Sequence, residues 1–230
     1  MINRNVEFNI YFIRHGESES NVTPGIAAGK NFDAPMTPRG HRQALALGDR
    51  FKRECVSFER IYSSSLIRAV QTTENMLKGM GMSHVKFERV DNIIERQVPH
   101  WRGRLASEVL TPEVLLMTAE AGKWFQPADG ESFRVVERRA SNWLEDELLF
   151  NPAWADRPGS HRIAIIAHGE TLRCLFHYIM GFDHGLIPRI QVDNTSVSRF
   201  RFGLKGWAVN SLNDASHTYD IGDINRERGA

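Results

Sequence analysis

One short pattern, written twice, constrains this chain more than any other feature. Phe12-Ile13-Arg14-His15-Gly16-Glu17-Ser18 closes an apolar run near the N-terminus, and Ile165-Ile166-Ala167-His168-Gly169-Glu170-Thr171 closes another near the C-terminus. Residues 7–13 (EFNIYFI) are β-branched and aromatic, and 162–167 (RIAIIA) form a short continuous apolar run, so both read as buried strands. In each, a histidine stands where the strand stops and a glycine lets the chain turn sharply. Parallel strands put their C-terminal ends on one edge of a sheet, where α/β proteins bind ligands. If these two strands are neighbours, the two imidazoles face one pocket.

The rest of the chain supplies the layers around such a sheet. Residues 38–53 begin with Pro38 and set Ala44, Leu47, Phe51 and Cys55 on one helical face. Ile61-Tyr62 reads as a short strand, followed by a helix from about Leu66 to Lys78 that stops at Gly79. A third strand is expected near Val85–Val90. Residues 96–130, with Pro99, Pro112 and Pro127, read as a loop-rich cap over the sheet edge. Helix resumes over Phe133–Phe150, with Val136, Ala140, Trp143 and Leu144 at core spacing, then a surface loop over Asn151–Ser160. A helix near Thr171–Met180 follows the second corner. Alternation over Thr195–Phe202 and around Trp207–Leu212 predicts a closing hairpin, and the tail after Asp220 is polar and expected to fray. Strands alternating with helices predict one domain over residues 1–230, a three-layer α/β/α sandwich with a largely parallel central sheet.

Composition narrows the partners. Lys and Arg total 29 against 28 Asp and Glu, so no global field draws nucleic acid or an anionic membrane. No apolar run approaches a membrane span and the N-terminus lacks the pattern of a signal peptide, which makes the cytoplasm the expected compartment. Cys55 and Cys174 both fall in helix-like apolar stretches and read as small buried hydrophobes rather than a disulfide.

Anion selectivity must then come from a local cluster. Arg14 offers a planar fork for two phosphate oxygens, and Arg68, just past a strand end, can reach the same edge. The Gly16 turn and a helix start after it are expected to add backbone N–H donors. A neutral imidazole is a competent nucleophile, since unperturbed histidine titrates at about 6.5. Glu17 and Glu170 read as first-turn helix carboxylates. Glu95, beside Arg96, reads by itself as a salt-bridged surface carboxylate.

With these residues in view, the sequence resembles the histidine phosphatase superfamily from about Phe8 to His217. The resemblance rests on Arg14-His15-Gly16-Glu17-Ser18 with Asn21 following, on Asp33-Ala34-Pro35-Met36-Thr37 with Gly40 and Gln43-Ala44, and on Ser64-Ser65-Leu66-Ile67-Arg68-Ala69-Val70-Gln71-Thr72. It continues through Glu95 before Trp101-Arg102-Gly103, Gly130-Glu131-Ser132, and His168-Gly169. The resemblance implies that His15 is the nucleophile and Glu95 the general acid. It also implies that Arg14, Arg68 and His168 clamp the phosphoryl group, with Asn21 and Gly169 as further phosphate ligands. Departures fall at Ala28-Gly29, with one additional residue before Asp33, and at Pro99-His100.

The expected activity is hydrolysis of a small phosphorylated metabolite, with no metal or other cofactor, because arginine and histidine already supply the positive charge. Its rivals are a phosphoglycerate mutase and a non-catalytic phospho-ligand-binding relative. In the mutases the stretch after the acid resembles a longer cover, rich in basic and aromatic residues. Here it is short and begins Arg96-Gln97-Val98-Pro99-His100, which predicts an open pocket. A metalloenzyme finds no support in His-x-x-x-His or Cys-x-x-Cys spacing, and a nucleic-acid binder finds none in a basic stripe.

Overall fold

Strand β1 (Val6–Arg14) runs down the middle of a six-stranded sheet because both of its faces are apolar. Phe8, Ile10 and Phe12 point into one layer of core and Ile13 into the other. Strand β4 (Gly159–Ala167) behaves alike, with Ile163, Ile165 and Ala167 on one face and Ala164 and Ile166 on the other. Strands buried on both faces read as continuous apolar runs rather than alternating ones. The computed structural model describes residues 5–23, 25–27 and 32–221. The Ala28-Gly29 departure and the tail after Ile221 lie outside them.

The remaining strands are β2 (Arg60–Ser64), β3 (Glu88–Val90), β5 (Val197–Gly203) and β6 (Gly206–Asp214), in the order β3-β2-β4-β1-β5-β6. Four of the six run parallel, and the β5–β6 hairpin joins antiparallel beside β1, so the sheet is mixed. Helices α1 (Pro38–Arg53) and α2 (Ile67–Met80) cover one face. The cap segment carries α3 (Ala106–Val109) and α4 (Pro112–Ala121), while α5 (Phe133–Leu144) and α6 (Gly169–Met180) cover the other face. This is the three-layer sandwich expected from the sequence. Among the described residues no helix is long and apolar enough to cross a membrane.

Three local expectations need correction. Gly79 does not end α2; the helix runs on to Met80 and closes on Gly81 at φ 74°. Gly79 instead lies against Gly48 of α1, where a Cβ on Gly48 would sit 2.1 Å from the Met76 carbonyl oxygen. The glycines let the two backbones touch. Cys55 is exposed, because α1 stops at Arg53 and Cys55 turns left-handed at φ 53°, closing the helix with a Val56 N–H to Phe51 C=O bond. Cys174 is the buried thiol. Finally, α5 is regular only to Leu144; residues Glu145–Leu149 form a wider turn.

The helix contact is testable. Gly48→Ala must push backbone against backbone, a form of overpacking that costs about 1–3 kcal/mol. Urea denaturation should show a lower midpoint at unchanged slope. An unaltered midpoint would mean that α1 and α2 separate freely.

Candidate active site

The in-register pairing of β1 and β4 sets the site. Arg14 lies opposite Ala167, and the His15 N–H donates to the Ala167 carbonyl at 3.0 Å, so both histidines emerge one residue past matched strand ends. Their ring centroids are 5.0 Å apart. The His15 Nδ1–H donates to the Gly16 carbonyl at 2.7 Å, which leaves the Nε2 lone pair facing Arg68, whose Nε–H lies 3.2 Å away. Burial, then Arg68 and Arg14, hold the His15 pKa well below its usual value. The ring is therefore neutral near pH 7.

Arg68 sits in the first turn of α2. That turn is fixed from outside the helix, where the Asp33 carboxylate accepts the Ile67 N–H at 2.6 Å and Gln71 Oε1 accepts the Met36 N–H at 2.8 Å. The Arg68 Nη1 donates to the Phe32 carbonyl at 2.6 Å. Arg14 donates through Nη1 to the Val192 carbonyl at 2.6 Å, while its buried Nε has no partner among the described residues. Burial lowers the Arg14 pKa to about 10, against an opposing pull from Glu95.

His168 is fully buried behind His15. Its Nε2 pairs with Ser64 Oγ at 2.7 Å, its Nδ1 has no partner among the described residues, and burial together with Arg68 and His15 keeps it neutral. Glu95 is pinned to the start of α6, where its Oε1 accepts the Thr171 N–H at 3.3 Å and the Arg96 N–H at 3.0 Å. The Arg96 side chain turns away from Glu95. It donates to the Glu131 carbonyl at 2.8 Å, reaches Glu170 at 3.4 Å and stacks on Phe133. The salt-bridged surface carboxylate expected of Glu95 alone is thus not what forms.

A cavity of about 230 Å³ opens over this cluster, lined by Arg14, His15, Asn21, Arg68 and Glu95 among others. His168 and Gly169 stand behind its wall, with Gly169 at the start of α6 beside the Arg14 guanidinium. Two expectations fail here. The Gly16 N–H is spent on Thr72 Oγ1 at 2.9 Å, and no helix starts after Gly16 because Gly16 is pressed against Gly40 of α1. Glu17 consequently lies outside any helix, bound to Thr37 Oγ1 and Arg39 at the entrance to α1. Glu170 does occupy the first turn of α6. No group of three His, Cys, Asp or Glu side chains suited to a metal occurs among the described residues.

A model of the histidine phosphatase superfamily (branch 1) matches residues 10–215. The chain belongs to that superfamily. It is 25% identical over 226 residues to the probable phosphoglycerate mutase GpmB of Shigella boydii, covering 90% of this chain and 94% of the relative. Among solved structures, a mutant phosphoserine phosphatase of Entamoeba histolytica in complex with phosphoserine superposes with a TM-score of 0.74 at 21% identity, covering 91% of this chain and 98% of the other. A phosphoglycerate mutase of Bacillus anthracis superposes with the same TM-score and identity, covering 95% and 98%. At this identity the likeness speaks to the fold, which phosphatases and mutases of the superfamily share.

Several residues that hold the superfamily's corner in place escape a reading by motif. Asn194 donates to the His15 carbonyl at 3.0 Å, and Thr195, at φ 57°, bonds to the Arg14 and His15 carbonyls through its N–H. Glu131 receives both arms of Arg139, which outweighs burial and keeps its carboxyl low, and binds the Gln97 N–H. Only Glu131 carried a signal, through the Gly-Glu-Ser block.

The depressed histidines give a pH prediction. In the folded protein His15 and His168 stay neutral where the unfolded chain, at about 6.5, already binds protons. The unfolded state therefore takes up more protons as pH falls below that value, and stability should decline from pH 7 toward pH 5. Imidazole ¹⁵N spectra at pH 6 should show His15 neutral with its proton on Nδ1. A charged His15 ring at that pH would contradict the geometry.

Proposed function

We propose that the protein is a metal-independent phosphatase that hydrolyses a small phosphate monoester in the cytoplasm through a phosphohistidine on His15. The orientation of the His15 ring carries this reading. With Nδ1–H committed to Gly16, the Nε2 lone pair is held at the cavity floor beside a guanidinium. A phosphoryl group entering there takes over the Arg68 donor and approaches Arg14 Nε and, just behind the wall, His168 Nδ1, neither of which has a hydrogen-bond partner among the described residues. Fixed cationic donors around a dissociating phosphoryl group are the main source of rate in such transfers.

In the first step Nε2 attacks phosphorus, the P–O ester bond breaks, and Glu95 gives its proton to the leaving alkoxide. In the second, the Glu95 carboxylate takes a proton from water, whose oxygen attacks phosphorus and expels His15 as neutral imidazole. Asn21 and the Gly169 end of α6 serve as further phosphate ligands in this reading. Arginine and histidine supply the charge that a divalent cation provides elsewhere.

The mutase reading differs only in the acceptor of the phosphoryl group, and the name of the Shigella relative favours it. The cap favours water. It lines the cavity only through Arg96, Val98, Trp101 and Arg102, all at its start, while α4 contributes nothing to the wall and buries none of its residues. A cover this short leaves the intermediate accessible to solvent.

The deciding assay gives the enzyme 3-phosphoglycerate with catalytic 2,3-bisphosphoglycerate, alongside a panel of phosphate monoesters, in excess chelator. Phosphate release should dominate, and formation of 2-phosphoglycerate faster than any hydrolysis would establish the mutase instead. Loss of activity that added metal restores would overturn metal independence. His15→Ala should abolish both turnover and an acid-labile, alkali-stable phosphoenzyme. Glu95→Gln should slow alkyl esters far more than aryl esters, whose leaving groups need little protonation; equal losses would remove Glu95 from the acid role.

A further inference from the structure

The cavity holds one more guanidinium than phosphoryl transfer uses. Of the four arginines among its described lining residues, Arg14 and Arg68 face the reacting histidine, and Arg96 is consumed by Glu131, Glu170 and Phe133. Arg102 is different. Its guanidinium lies over the Phe32 ring at 4.5 Å, its buried Nε has no hydrogen-bond partner, and it makes no ion pair among the described residues. Stacking leaves the in-plane edge of the guanidinium open while fixing its direction, which is the arrangement that receives an oxyanion by two parallel hydrogen bonds. Phe32 ties this arginine to the phosphoryl site, since its carbonyl accepts from Arg68.

We infer that Arg102 sets substrate choice by binding a carboxylate on the alcohol half of the ester, a conclusion that rests on the phosphatase reading above. The occupant is small, because the cavity of about 230 Å³ falls below the roughly 300–1,000 Å³ of pockets for drug-sized ligands. It carries a single charge at this end. Among the described lining residues Arg102 is the guanidinium left without a partner, and one such group balances a carboxylate, whereas a second phosphate brings about −1.5 to −2; Ile26, Ala27, Phe32, Val98 and Trp101 also line the cavity, with Ser20 and Asn21 as neutral polar groups. Pro99 begins the short turn over Pro99–Trp101, and Arg102 closes it by donating its N–H to the Pro99 carbonyl, which sets where the side chain leaves the cap.

The test compares phosphoglycolate, its neutral carboxamide and ethylene glycol bisphosphate, each measured by turnover and by calorimetric binding to His15→Ala protein. Wild type should favour the carboxylate over the carboxamide by roughly 10- to 100-fold in kcat/KM, the range of a charge-assisted contact. Binding to His15→Ala should show the same preference. Arg102→Gln should bring the ratio near unity and Arg102→Lys should restore part of it, with thermal unfolding confirming that each variant is folded. Equal handling of carboxylate and carboxamide, a preference for the bisphosphate, or a ratio unmoved by Arg102→Gln would each overturn the inference. Failure of the phosphatase reading would look different: no phosphate from any ester, with the binding preference intact.

Discussion

The hydrogen bond from the His15 N–H to the Ala167 carbonyl extends the β1–β4 ladder one residue past the strand ends. Everything at the site depends on that register. A slip of one residue would turn a histidine to the opposite face of the sheet. The slip is prevented by burial on both sides, since each strand alternates large apolar groups between two helical layers. The apolar core and the placement of the two imidazoles are therefore one constraint.

Desolvation then fixes the chemistry of that edge. His15 and His168 are driven neutral by burial first and by the flanking arginines second. The same burial lowers the pKa values of Arg14 and Arg68, with Glu95 as a counterweight to both. A cavity that assembles cations and withholds their solvent is unfavourable when empty of anions and becomes favourable when an anion neutralises it. The arginines do not relax away because backbone carbonyls of Val192 and Phe32 hold their other nitrogens.

Much of this was legible in the sequence for a physical reason. The two corners announce themselves because a run of buried residues ending in His-Gly has few other uses, and the helix over 38–53 and the first part of the one read over 133–150 follow from apolar spacing. What could not be read was anything decided by contact between distant segments. Gly79 looked like a helix stop because its partner Gly48 lies in another helix. Gly16 looked like a phosphate cradle because Thr72, which takes its N–H, lies far along the chain. Cys55 looked buried because nothing local reports the left-handed turn that swings it out. Asn194 and Thr195 bear on the corner only through β5 lying beside β1.

The stem of the cap has a consequence of its own. Gln97 and Glu131 clasp each other, with the Glu131 N–H on the Gln97 carbonyl at 2.7 Å and the Gln97 N–H on the Glu131 carboxylate at 2.9 Å, while Arg96 and Arg139 bind the same glutamate. The intervening residues thus form a loop already closed at its neck. Closing a longer loop adds only about 0.6 kcal/mol for each doubling of length. Residues can be inserted or removed between Gln97 and Glu131 with little strain transmitted to Glu95. Such a neck lets one scaffold exchange its cover, and with it the partner molecule it admits, while the reacting edge of the sheet stays as it is.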